Sequence, residues 1–218
     1  MIAVQDIISR VADLLLDTDR ADDQARWTNG ELIRWINDSR MAIITRRPQA
    51  GAVIETLSLV AGSLQSVPEG AVTFLDATRN MKDDVPGRVI RRTDRQNIDD
   101  EDLYWHKSTP KSEISQFAFD DRIPRRFYVY PPAVAGTQIE VAYAKNPATV
   151  AALTDELDFQ PEYIDAVVNY VCYRAKSKDS QYANAAEAAA YYSAFNDALG
   201  VQSGSQTAAS PNQPGNSV

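Results

Sequence analysis

Residues 125–145, RRFYVYPPAVAGTQIEVAYAK, hold two runs of aromatic and β-branched residues interrupted by Pro131, Pro132 and Gly136. Runs of that composition with that punctuation read as two strands, RRFYVYP and TQIEVAYAK. Side chains alternate across a strand, so Phe127 and Val129 face opposite to Tyr128 and Tyr130, and one of these sets is expected in a core. Working upstream, EISQFAFD (113–120) is a third strand candidate, and AVIETLSLV (52–60) alternates like a half-buried strand. GSLQSVPEG (62–70) reads as a turn-rich connection, AVTFLDATRNM (71–81) as a short helix, and residues 88–91 as a strand start. The polar, acidic stretch that follows carries a short helix around Asp94 to Leu103. A small antiparallel sheet is the natural arrangement of these strands.

Outside this middle, the periodicity changes to helical. In WTNGELIRWINDSRMAIITRRP (27–48), Thr28 and Glu31 have the spacing of a reciprocal capping box. Leu32, Trp35, Ile36, Ser39 and Ile43 then recur on one face, Arg34, Asp38 and Arg40 point elsewhere, and Pro48 disfavours a helical Arg47. The first residues, MIAVQDIISRVADLLLD, form another amphipathic helix with Val4, Ile7, Ile8, Val11, Leu14 and Leu15 on its buried face. Asp6, Arg10 and Asp13 interrupt it before a signal core or membrane span could form. Pro161 opens a further helix with Tyr163, Ala166, Val167, Tyr170, Val171 and Arg174 on one face. The alanine-rich NAAEAAAYYSAFNDAL (184–199) is the last helix, with Gly200 placed to adopt a left-handed cap. The expectation is an α+β protein. Residues 1–50 and 150–200 form a bundle of N- and C-terminal helices, 51–149 a central antiparallel β-rich insertion, and 201–218 an extended C-terminal tail.

Bulk properties narrow the function. With 218 residues the chain is long enough for a proper core, and its formal net charge of -8 disfavours nucleic acid or an anionic membrane as the main partner. A single cysteine, Cys172, excludes an intramolecular disulfide, which fits assembly in a reducing cytoplasm. The one histidine, His106, excludes a histidine-rich metal site, and cysteine-based zinc binding is equally unavailable. No phosphate-binding or dinucleotide fingerprint is present, and the only Ser-Gly-Ser, at Ser203 to Ser205, is no nucleophile elbow. A Ser-His-Asp triad through His106 stays open on sequence alone. The acidic pairs Asp83/Asp84, Asp99 to Asp102 and Asp120/Asp121 read as solvated charge, because neighbouring loop carboxylates lack a dry pocket to separate their pKa values. Arg88, Arg91, Arg92 and Arg95, with Arg125 and Arg126 beside Phe127, Tyr128 and Tyr130, could form a basic and aromatic platform only if one face held them all. No cofactor is expected.

Three stretches carry a resemblance that none of them carries alone: WTNGELIRWINDSRMAIITRRPQA, IPRRFYVYPPAVAGTQIEVAYAKNP and YIDAVVNYVCYRAKSKDSQYANAAEAAAYYSAFNDALG. With Pro86 to Arg88 and LYWHK at Leu103 to Lys107, their order resembles the head-to-tail adaptor proteins of tailed bacteriophages, the group that looks like tail tubular protein A. The resemblance implies a virion structural protein with no catalytic residues. It implies a ring, commonly of twelve copies, between the portal protein and a tail tube or nozzle protein, leaving a channel through which double-stranded DNA passes without specific binding. It also implies a site at the virion neck, assembly in the host cytoplasm and no membrane partner.

Under that reading Trp27, Trp35, Tyr163 and Tyr170 serve helix packing or a subunit interface. Asp99, Asp100, Glu101, Asp102, Arg125 and Arg126 are candidate charges facing the channel or the tail. The last segment, with Val201, Gln202, Gln206, Thr207, Pro211, Asn212, Pro214 and Val218, is a portal-docking arm. Its composition offers almost no large apolar side chains, and ordering it costs about 18–36 kcal/mol of backbone entropy, so a partner's groove or strand edge has to supply the compensation. Two other classes remain open: a tail-associated cell-wall hydrolase, which needs carboxylates of unlike environment in a pocket, and a nucleic-acid-binding accessory protein, which needs both arginine groups on one exposed face.

Overall fold

The computed structural model describes residues 2–19, 25–178 and 180–209, with side chains given as far as Gly200. In chain order the regular elements are β1 (Ile2–Ala3), α1 (Val4–Leu15), α2 (Asn29–Arg46), β2 (Ala52–Ser58), β3 (Gly62–Ser66), β4 (Ala71–Lys82), β5 (Val85–Val89), β6 (Arg91–Arg92) and α3 (Arg95–Glu101). They continue with β7 (Gln116–Phe119), β8 (Arg126–Ala133), β9 (Gln138–Lys145), β10 (Glu156–Leu157), α4 (Ile164–Ser177) and α5 (Ala185–Ala209). The chain divides into two compact units, one from residues 1–50 with 147–218 and one from 51–146.

In the first unit α1 buries Val4, Ile7, Ile8, Val11, Ala12 and Leu15, but Leu14 lies at the margin of that arc in the last turn and is half exposed. The α2 cap forms as its spacing requires: Thr28 Oγ1 accepts from Glu31 N at 3.3 Å, and Thr28 N donates to Glu31 Oε2 at 3.1 Å. The same Glu31 carboxylate takes a 2.6 Å hydrogen bond from Lys178. Arg40 departs from expectation, because it is buried rather than turned to solvent. Its Nη1 donates to the Ala148 carbonyl at 2.8 Å and its guanidinium lies 5.8 Å from the Phe159 ring centroid, while burial pulls its pKa down. One turn earlier Asn37 makes two hydrogen bonds to the backbone of Val150, one through each end of its amide. Both polar side chains of α2 thus hold the 147–150 segment.

The architecture differs from the expected bundle of terminal helices with an extended tail. Among the described residues the molecule is α+β, with five α-helices and three sheets. The terminal helices gather around α4, whose Ile164, Ala166, Val167, Val168, Val171, Cys172 and Ala175 are all buried, while α1 and α2 meet each other only slightly. A two-stranded sheet, β1 with β10, completes this unit, so it is not built of helices alone. Nor does Gly200 end the last helix: its φ is not positive, and α5 continues through residues 201–209. Residues 210–218 of the expected tail lie outside the described residues.

The second unit is a sandwich of two four-stranded sheets, ordered β2-β9-β4-β5 and β3-β8-β7-β6. All pairs are antiparallel except β6 with β7. Their inner faces share one core in which Phe74 stacks on Phe127 at 4.2 Å and 15°, with Phe117 and Phe119 packed beside it. Phe127 and Val129 are the core set of β8, as alternation requires.

The segment that reads as a helix from its sequence is strand β4, and its geometry gives the reason. Its register on β9 shifts three times, between Ala71 and Thr73, Phe74 and Asp76, and Ala77 and Arg79. Each bulge inserts one residue, so Ala71, Phe74, Ala77 and Asn80 are buried at every third position instead of every second. A period of three imitates a helix. Likewise β3 occupies what read as a turn, held by Gln65, whose side chain bonds Val60 N, Val60 O and Gly62 O at 2.9 Å each. The β4–β5 hairpin turns through Asp83 and Asp84, both with positive φ, the conformation of a two-residue type I′ loop.

The buried Asn80 side chain donates to Arg88 O and Ile114 O and accepts from Ile114 N. Asn80→Ala leaves those backbone groups unpaired and should cost on the order of 3 kcal/mol, read by urea denaturation of the full chain. Glu140, bonded by Arg79 Nε and Nη2 at 2.9 Å each and by Thr78, has its carboxyl pKa lowered from 4.5, first by the Arg79 hydrogen bond. A depressed folded-state value stabilises the protein above the unfolded value, and that contribution is lost as pH falls through the folded one. Glu140→Gln should therefore cost about 1 kcal/mol or less at neutral pH and nothing in acid well below 4.5, measured as denaturation midpoints across a pH series.

Candidate interaction surface

The parallel join of β6 to β7 requires a crossover, and this chain uses it to build its most distinctive surface. The crossover carries α3 and a short 3-10 turn at Trp105–Lys107. Ile98 and the fully buried Trp105 pack on Ala118 of β7, with Tyr128 and Tyr130 of β8 beside them. Trp105 meets both tyrosine rings edge-on, at 6.0 and 6.1 Å, and its Nε1 donates to Asp99 Oδ1 at 2.8 Å. The tyrosine face of β8 is consequently covered by Trp105 rather than open beside Arg125 and Arg126.

Asp102 shapes the loop that precedes Trp105. Its Oδ1 accepts from Tyr104 N at 2.9 Å, its Oδ2 accepts from Ser108 Oγ at 3.1 Å, and its backbone carbonyl accepts from Trp105 N at 3.1 Å. The loop so held turns Leu103 and Tyr104 outward, 81% and 72% exposed. At the other end of α3, Arg95 and Gln96 join Ala118, Phe119, Asp120, Asp121, Arg122, Ile123 and Tyr128 around an open cleft of about 480 Å³. The 120–126 turn that walls it is fixed by Phe74 N donating to Pro124 O at 2.7 Å and Val67 N donating to Arg125 O at 3.1 Å. Arg122 closes a bidentate pair on Asp120, which holds that carboxyl below its ordinary range, and Arg95 pairs with Asp99 at 3.5 Å.

The sequence-derived sites fall as follows. Asp99 and Asp102 are structural, one on the Trp105 indole and the other on its loop, whereas Asp100 and Glu101 form no ion pair among the described residues. Arg125 and Arg126 lie exposed on the turn that walls the cleft and are likewise unpaired among the described residues. Trp27 is buried and packs against Tyr182 at 5.8 Å, and Tyr163 is buried against Phe159. Tyr170 belongs to an aromatic cluster with Tyr173 and Phe195, and Trp35 is only partly buried. Val201, Gln202, Gln206 and Thr207 are on the α5 extension, while Pro211, Asn212, Pro214 and Val218 lie outside the described residues. Leu103 and Tyr104 were not singled out from sequence, and only the Asp102 contacts make their exposure visible.

A nucleophile-and-base arrangement is approached once, where Ser63 Oγ and His106 Nδ1 lie 2.8 Å apart. Ser63 is buried in β3, and among the described residues no carboxylate holds the other imidazole nitrogen, so the pair lacks the orienting group of a triad. Burial pushes the Cys172 thiol up to about 12, far from a reactive thiolate. Among the described residues no group of three or more histidine, cysteine or acidic side chains is gathered as for a metal ion, and no helix is long and apolar enough to cross a membrane.

An exposed apolar pair and a charged cleft thus lie at the two ends of α3 on the sandwich. The chain belongs to the SU10 adaptor protein family, whose model matches residues 2–215. Membership marks it as a phage structural adaptor and indicates a non-enzymatic role. No curated protein matches the chain.

The loop geometry makes one direct prediction. Trp105→Ala removes the root of the loop and a buried aromatic side chain, and should cost about 3–5 kcal/mol. Limited proteolysis should then cut residues 102–108, which the native chain protects.

Proposed function

We propose that this chain is a connector subunit that joins the portal protein to the tail at the virion neck, in the manner of tail tubular protein A-like adaptors. The family match across residues 2–215 carries the reading. In this reading copies close into a ring, of twelve in such connectors, and double-stranded DNA passes through it without specific binding. The net charge of -8 per copy supports passage over retention, because firm holding of a duplex requires many lysine or arginine contacts to phosphate. A tail tube or nozzle protein is the partner on the far side. Assembly takes place in the host cytoplasm. Partly buried Trp35 is the aromatic of α2 left for a neighbour, while Trp27, Tyr163 and Tyr170 hold the subunit itself.

The segment after Gly200 serves as the portal contact, with residues 201–209 engaging as helix rather than as an added strand. Glycine and serine at Gly200, Ser203, Gly204 and Ser205 are poor helix formers, so a helix there gains from a partner surface. The experiment is co-sedimentation of the full chain and of a chain truncated after Gly200 with the cognate portal. The full chain should bind as an oligomer and the truncated chain, still folded by circular dichroism, should be lost from the portal fraction. Equal retention of both would contradict the role of this segment, and failure of the full chain to bind would contradict the connector reading.

A further inference from the structure

We propose that copies of this chain contact one another head to tail through α3, with Leu103 and Tyr104 of one copy seated in the cleft walled by Phe119, Arg122 and Ile123 of the next. The proposal rests on the ring reading and specifies its contact. Three observations converge on it. Leu103 and Tyr104 are the two most exposed adjacent apolar side chains of the second unit, yet their loop is fixed by three bonds to Asp102 and rooted on Trp105. A preformed projection loses little conformational freedom on docking. The open cleft of about 480 Å³ at the opposite end of the same helix is lined by Ala118, Phe119, Ile123 and Tyr128 together with the charged Arg95, Asp120, Asp121 and Arg122, room enough for one aliphatic and one aromatic side chain. Ile123, itself half exposed, offers apolar surface there.

Charge identifies the occupant as a second copy. Beside the projection lie Asp100 and Glu101, and on the turn that walls the cleft lie Arg125 and Arg126, all four without an ion-pair partner among the described residues. Contact between two projecting ends sets carboxylates against carboxylates, and contact between two clefts sets like turns together, each carrying Arg122, Arg125 and Arg126 against Asp120 and Asp121 and so of net positive charge. The head-to-tail pairing alone sets the acidic end of α3 against a turn of net positive charge, which favours it over both self-pairings. A contact of this kind uses different surfaces on the two copies, so it repeats from copy to copy and closes into a ring when the rotation permits.

The test places the photo-crosslinking residue benzoylphenylalanine at position 104 of the full chain and irradiates the assembly it forms, alone or on its portal. A copy-to-copy crosslink mapping to residues 118–123 is expected. Crosslinks to the portal, to another part of the chain or to nothing would overturn the contact. A second arm reads assembly by mass photometry. Arg125→Glu with Arg126→Glu should raise the concentration for half-assembly by about tenfold or more, and adding Asp100→Arg with Glu101→Arg should restore it. Leu103→Ser with Tyr104→Ser should abolish assembly while the thermal midpoint moves by under about 3 °C, because both side chains are exposed. Native-like assembly by the unrescued charge variant or by the serine variant overturns the contact while leaving the ring reading intact. Absence of any ring from the native chain on its portal overturns both.

Discussion

The pairing of β4 with β9 is the constraint on which the second unit rests. Eleven residues of β4, from Ala71 to Met81, lie along the eight of β9, and the surplus is absorbed in three bulges. The middle bulge turns Phe74 into the sandwich core, where it stacks on Phe127, and releases its backbone N–H to the carbonyl of Pro124. With the bond from Val67 N to the Arg125 carbonyl, that hydrogen bond ties the core to the 120–126 turn, and so to one wall of the cleft. Leu75 is the inserted residue, and Asp76, which resumes the pairing opposite Ala142, accepts from Ala77 N at 2.9 Å through its carboxylate. Bulges bend a strand and increase its twist, so the regular hydrophobic spacing and the surface geometry have one origin.

In the first unit the equivalent role falls to polar side chains on a buried helix face. Asn37 and Arg40 hold backbone groups of residues 148–150, and the segment they hold leads through β10, paired with β1, toward the start of α4. Burying an arginine is costly unless its donors are used, and here a carbonyl and an aromatic face take part of that load. Packing of α1, α2 and α5 on α4 then follows from ordinary apolar stripes.

Helices with a local signature were readable from sequence. The Thr28–Glu31 box, the α1 stripe and Pro161 at a helix start all depend on neighbours within one turn, and they occur where the residue spacing places them. Strands β8 and β9 are readable from alternation that holds over most of their length, and β7 from its aromatic composition. β4 was not, since its bulges replace a period of two by a period of three. Arg40 was not, because its partners are more than 100 residues away in sequence. At Gly200 a residue that often caps a helix was read as a stop, although a glycine inside a helix only weakens it. The interaction surface was legible only in composition. LYWHK contains three large side chains in a row, and contacts from Asp99 and Asp102 decide that Trp105 is the buried root while Leu103 and Tyr104 face outward.

The family assignment is that of a phage structural adaptor, and in the proposed reading the chain acts through the fit of its faces. The measurement that tests this account most directly is a cryo-electron microscopy map of the virion neck in which this chain can be traced. The account predicts a closed ring of this chain between portal and tail, with the projecting end of each α3 meeting the cleft of its neighbour. A map in which the chain is absent from the neck, or in which neighbouring copies meet without either end of α3, would contradict it.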